Sequence, residues 1–226
     1  MRLMFSFGLM VPLLAQAPAL RSELDRYLTR LGNGLAKRAK GQPFPYSFAL
    51  FDDRRAAALP LAGIPAFPFH AEQGELGEAL AVTGGAVFVP LRLMSAVESE
   101  AELAAVLAHA IAHIALRHPA RIENQARPDV PEADLLVRAR NLELEADELA
   151  LRMLAEAGYD PAGLVTFLRK APRGQTHPSP EARIKVIEQT LQSLPRRAYK
   201  ASTGQFEKIK ALISRLPFTS SAPPPR

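Results

Sequence analysis

Apolar residues recur at three- and four-residue spacing in several separate stretches of this chain, which predicts a mainly helical protein. Leu24, Leu28, Leu31 and Leu35 share one face, so Ser22 to Ala39 reads as an amphipathic helix. Ser22 is its expected cap, and Gly41, Gln42 and Pro43 break it. A second helix runs from Ser99 to about His118, with Leu103, Leu107, Ile111 and Ile114 on a buried stripe. Ser99 followed by Glu102 is a capping box, in which each side chain satisfies a free backbone N–H at the helix start. Further helices are predicted over Glu132–Ala157, closed by Gly158, and over Pro161–Lys170 with Leu164, Phe167 and Leu168 inward. Two more follow, Pro180–Leu191 with Ile184 and Ile187 apolar, and one from about Thr203 to Leu216.

Two stretches alternate instead. Tyr46–Phe51 reads as a strand ended by Asp52 and Asp53. Glu78–Val89 reads as two short strands joined or kinked at Gly84 and Gly85. Pro60, Pro65 and Pro68 make residues 54–77 a loop, with His70 on its surface. Ala120–Val130 and Ala171–Pro180 are also loops, and the second carries His177. At the start, Arg2 precedes an apolar run, Leu3–Leu14, and two small-x-small sites, Ala15-Gln16-Ala17 and Ala17-Pro18-Ala19. Residues 1–19 are therefore read as a signal peptide, the run being short of the roughly twenty residues that span a membrane. Residues 20–218 form the expected domain, and the Pro- and Ser-rich residues 219–226 a disordered tail.

Composition changes this picture in two respects. The chain has no Cys, which excludes disulfides, a thiolate zinc site and a Cys nucleophile. Its net charge of +5 is spread among acids with no long basic run, which argues for solubility and against a nucleic-acid site.

The candidate chemistry begins with His109 and His113, one turn apart on one helix face. Two imidazoles at that spacing can grip one metal ion, although an isolated pair also serves as ordinary core or surface residues. The usual form of such an element is H-E-x-x-H, whose Glu is the general base for the attacking water. Here that position is Ala110, so the grip is present and the base is missing. A third ligand could come from Glu143, with Asp147 one turn on accepting the free N–H of a ligand His. Glu145 points elsewhere. By residue type alone these acids read better as a solvated helix face.

The motifs together resemble the gluzincin metallopeptidases related to the CAAX prenyl protease and HtpX, and among these the short soluble bacterial members. The family pattern E-L-A-x-V-L-A-H-E-x-x-H fits Glu102–His113 at every specified position except Ala110. E-x-x-x-D fits Glu143–Asp147, A-G-Y-D-P fits Ala157–Pro161, and T-H-P-x-x-x-x-R-I fits Thr176, His177, Pro178, Arg183 and Ile184. The resemblance implies an α+β, mostly helical zincin-like domain, with a small antiparallel sheet bordering the active-site cleft. It implies one zinc per chain on His109, His113 and Glu143, supported by Asp147. His177 would lie near the open coordination position, contacting an oxyanion or capping the ion, or would serve only to pack its loop. His118 matches no ligand position and is expected at the surface or the helix end.

By the same resemblance, the strand before the metal helix binds extended peptides by backbone hydrogen bonds. The usual N-A-F-A-x-P-G-G is here E-A-L-A-V-T-G-G, and Gly84, Gly85, Ala86, Val87 and Phe88 would form the binding edge. Two functions follow as expectations. One is an exported zinc endopeptidase, periplasmic or extracellular, free or membrane-peripheral, acting on unfolded or misassembled envelope proteins and impaired by Ala110. The other is a non-catalytic pseudopeptidase that holds extended peptides as a chaperone or adaptor. Ala110 fits a natural pseudopeptidase or an inactivating exchange. No nucleic-acid partner and no stable membrane span are expected.

Overall fold

A computed structural model of the chain describes residues 13–40, 44–51, 79–82, 84–118, 120–121, 130–170 and 179–214. The order is α1 (Leu13–Ala36), β1 (Ser47–Phe51), β2 (Leu80–Val82), β3 (Ala86–Pro90), α2 (Leu91–Ala96) and α3 (Glu100–Ala115). Then follow α4 (Glu132–Ala157), α5 (Gly163–Lys170), α6 (Pro180–Leu191) and α7 (Gly204–Ile213). The α+β, mostly helical class stands.

α3 is the axis of the molecule. Of its residues only His109 is not buried. The stripe predicted for one face extends round the whole helix because Ala fills the remaining faces. An Ala surface lets neighbours approach closely, and a helix apolar all round belongs in a core. α4, α5, α1 and the sheet all pack against it. At its start, a Cβ on Gly163 would sit 2.6 Å from the Ala101 carbonyl oxygen, so only Gly lets α5 come that near. Ser99 Oγ accepts from Glu102 N at 3.2 Å, as the capping box requires. The reciprocal bond differs from expectation: the Glu102 carboxylate accepts from Glu98 N at 3.3 Å instead of from Ser99. Lys170 explains the diversion, since its ammonium lies 3.0 Å from Glu102 Oε2 and ties α5 to the start of α3.

Other boundaries moved. α1 begins at Leu13, so Ser22 is an interior residue that accepts from Arg26, not a cap. Its apolar face, Leu24, Leu28, Leu31 and Leu35, is buried as expected. α2 was not foreseen; a six-residue helix is too short to show a period. Lys210 of α7 donates to the carbonyls of Met94, Ser95 and Val97, satisfying acceptors left open at the α2 end. α4 has the expected bounds, with Gly158 left-handed at its end (φ 77°).

The sheet order is β1-β3-β2. β2 and β3 form the expected antiparallel pair, Leu80 opposite Phe88 and Val82 opposite Ala86. Gly84 and Gly85, both at φ near 100°, turn the chain between them (φ 100° and 103°). β1 joins β3 in parallel, so the sheet is mixed and not purely antiparallel. This also corrects the expected binding edge. Ala86, Val87 and Phe88 lie in the central strand, hydrogen-bonded on both sides, and Gly85 O accepts from Ser47 N at 3.0 Å. Among the described residues the outer strands are β1 and β2. Residues 1–12 of the expected signal peptide, residues 54–77 with His70, the loop with His177, and the expected tail lie outside the described residues.

Candidate metal centre

α3 and α4 cross where their motifs lie. The i, i+4 spacing puts His109 and His113 on the α3 face toward α4, and puts Glu143 and Asp147 on the α4 face toward α3. The two Nε2 atoms are 2.9 Å apart. Glu143 Oε2 lies 3.2 Å from His109 Nε2, and Oε1 lies 3.2 Å from His113 Nε2. These three side chains form the one candidate metal group among the described residues.

Three observations test whether a cation fits. Zinc binds imidazole nitrogen and carboxylate oxygen at about 2.0–2.2 Å, so tetrahedral donors stand about 3.3 Å apart. The separations here are close to that. Both Glu143 oxygens are buried and, although near imidazole nitrogens, have no hydrogen bond of sound geometry. A buried carboxylate in that state is costly unless a cation or donor compensates it. Finally, the other ring nitrogens are turned away: His109 Nδ1 to Asp147 Oδ1 at 2.9 Å, His113 Nδ1 to His118 Nδ1 at 3.1 Å. All three donors therefore point at one place. The residues fit a zinc-type ion.

The surroundings set the charges. Burial would lower the His109 pKa, but Asp147 and Glu143 overcome it and raise it to about 9. Two imidazole nitrogens 2.9 Å apart share at most one proton. Burial, helped by a cationic His109, accordingly lowers His113. Burial would raise Glu143, yet the facing imidazoles hold it well below the usual carboxylate range. Asp147 is likewise lowered despite its burial, chiefly by Arg183. Burial, then His113, pushes His118 down to about 3, so it is neutral in ordinary buffers.

Two residues of this centre were not assigned from sequence. Arg183, on α6, binds Asp147 through Nε (2.8 Å) and Nη2 (2.7 Å), and its Nη1 lies 3.6 Å from Glu143 Oε2. It was visible only as a motif letter; its buried ion pair comes from the packing of α6 on α4. His118 is fully buried just past the end of α3, which overturns the surface half of its expected place and keeps the helix-end half. α3 ends at Ala115, and Arg117 takes a left-handed conformation (φ 56°) that swings His118 back beside His113. Helical periodicity could not reveal that turn. Glu145 points away from the metal donors as expected. It is bound by Arg121 at 2.7 and 3.3 Å. Ala110 is buried among core residues, at 2% exposure.

Comparison with known proteins agrees with this geometry. The sequence model of peptidase family M48 matches residues 23–126 and 132–191. The chain is 27% identical over 213 residues to the β-barrel assembly-enhancing protease of Yersinia pestis, covering 75% of the chain and 40% of that protein. It is 27% identical over 203 residues to the protein of that name from Escherichia coli K12, covering 71% and 37%. It is 29% identical over 154 residues to the mitochondrial metalloendopeptidase OMA1 of Schizosaccharomyces pombe, covering 54% and 46%. The chain thus spans less than half the length of these curated relatives.

Proposed function

The chain belongs to peptidase family M48, a family of zinc-dependent metallopeptidases, and from that premise we propose that it binds one zinc and hydrolyses peptides weakly or not at all. The donors would be His109, His113 and Glu143. The observation that carries this is the convergence of both buried Glu143 oxygens, each 3.2 Å from an Nε2, on two imidazoles whose rings are held from behind.

A bound zinc supplies Lewis acidity to a peptide carbonyl and lowers the pKa of a bound water. The protein must then accept and deliver a proton. Ala110, at the base position of the motif, holds no acceptor. General acid–base catalysis contributes about 10²–10⁴-fold, and that factor is forfeited. Among the described residues no carboxylate stands in. Glu102 is engaged by Lys170, Glu145 by Arg121, and Asp147 by Arg183 and His109. His177 remains part of the proposal, as a group beside the open coordination position.

The substrate is an extended segment of an unfolded or misassembled envelope protein. Support for the class comes from relatives named as β-barrel assembly-enhancing proteases. Support for the extended form comes from β2, a strand packed against α3 whose outer edge has no neighbouring strand among the described residues and can pair with a peptide backbone. Docking is thus assigned to the β2 edge, beside the Gly84–Gly85 turn. Residues 1–19 direct export to the periplasm or beyond. The holding role of a pseudopeptidase is the second reading, favoured by Ala110 alone.

Zinc content and chelator-sensitive cleavage of an unfolded protein, measured on this chain and on Ala110→Glu, test the proposal. About one zinc per chain is expected in both. Cleavage near background in the parent should rise about 10²–10⁴-fold in the variant. A zinc-free parent, or a parent that cleaves as fast as the variant, contradicts it. An Ala110→Glu protein that binds zinc, melts like the parent and stays inert favours the holding role.

A further inference from the structure

We infer that His118 is a positioning residue for the metal centre, accepting the Nδ1–H of His113 and so committing His113 Nε2 to the ion. The inference rests on the zinc-binding part of the proposal above and deepens it.

The backbone is the first observation. His118 follows His113 by five residues, which on a continuous helix would turn it about 140° away from that face. The helix instead stops at Ala115, and Arg117 adopts a left-handed conformation. It is the one non-glycine residue with positive φ among the described residues. Such a conformation costs about 1–2 kcal/mol for a residue with a Cβ. What it produces is a ring contact: the His113 and His118 centroids are 4.9 Å apart, nearly perpendicular, with Nδ1 to Nδ1 at 3.1 Å.

The far side of the ring is the second. His118 Nε2 lies 3.5 Å from Glu145 Oε2, an ion-pair separation without a hydrogen bond, and Arg121 binds that same carboxylate. A proton on His118 belongs on Nε2, toward the anion. Nδ1 is then a lone pair, and the hydrogen in the 3.1 Å contact must come from His113 Nδ1. That leaves Nε2 of His113 as a donor atom toward Nε2 of His109 and Glu143. The two ligand imidazoles are thus held by unlike partners, His109 by a charged carboxylate and His113 by a neutral imidazole. Groups that orient a metal-binding His commonly govern affinity as strongly as a tenfold to hundredfold factor.

The test has two arms. Zinc affinity is measured by competition with a chromophoric chelator on the parent, His118→Phe and His118→Asn, with melting of the metal-free proteins alongside. His118→Phe should weaken zinc about 10–100-fold. His118→Asn, whose Oδ1 replaces the Nδ1 acceptor, should recover most of it. In the zinc-loaded parent, long-range ¹H–¹⁵N histidine spectra should show His118 protonated at Nε2 alone and His113 at Nδ1. A His118→Phe protein within twofold of the parent, an Asn variant as weak as Phe, or a His118 protonated at Nδ1 overturns the inference. The spectra decide the matter if a variant fails to fold. A parent that takes up no zinc overturns the functional proposal itself, whereas a zinc-binding parent with indifferent variants overturns only the role of His118.

Discussion

His109 carries the clearest pH signature of the centre. In the metal-free protein its pKa is raised to about 9, so it holds a proton through neutral pH. A raised pKa stabilises the metal-free fold fully below about 6.5, and that contribution is lost as pH rises through 9. Zinc must displace this proton. Its apparent affinity should therefore rise about tenfold per pH unit from about 6.5 to 9 and then level off. An affinity that is flat across that range, measured by chelator competition, contradicts the assignment. Asp147 and Arg183 support the same ring. Replacing Asp147 by Asn removes the anion behind His109, and zinc affinity should fall about 10–100-fold. Replacing Arg183 by Met leaves Asp147 only His109 as an ion-pair partner among the described residues and should destabilise the protein, by up to about 3–5 kcal/mol, in denaturant melts.

Between elements, the site depends on how closely α3 is approached. At Gly163 the added methyl of Ala would collide with the Ala101 carbonyl oxygen, which is backbone and cannot rotate away. Gly163→Ala should therefore cost about 1–3 kcal/mol in urea melts, and an unchanged midpoint would show that α5 has room to move. Elements several turns long were legible in sequence: α4 and α6 have the bounds read for them, α4 closed by Gly158, and α3 carries its Ser99 cap. What was misread in the sheet has one cause. Strand alternation announces β3 but not which neighbours it has, and register in a sheet is set by partners distant in the chain. The edge was accordingly placed on Ala86–Phe88, and among the described residues β1 and β2 hold it instead. The burial of His118 was not legible for a different reason, since one left-handed residue past the helix end, Arg117, turns it back beside His113. His109, His113, Glu143 and Asp147 were singled out through the family motifs, since one-turn spacing alone also suits a core or solvated helix face; the crossing of α3 and α4 brings the four side chains together.

For the molecule as a whole, a zinc between α3 and α4 would join the two helices around which the rest is packed. Binding to the folded state alone stabilises by about 2.7 kcal/mol at a hundredfold excess over Kd. For a chain of this size that corresponds to roughly 5–11 °C in Tm, at about 2–4 °C per kcal/mol. Zinc should give that rise and a chelator should reverse it; a Tm indifferent to both contradicts the linkage. The same crossing makes metal and fold separable at one residue. Glu143→Ala removes a donor without touching the apolar face of α4, so loss of metal with retention of helix content is its expected outcome. The most direct test is zinc-edge X-ray absorption of the protein loaded with one equivalent. The account predicts two imidazole nitrogens and at least one carboxylate oxygen at about 2.0–2.2 Å. A spectrum with one imidazole or none, or a protein that releases the zinc on gel filtration, contradicts it.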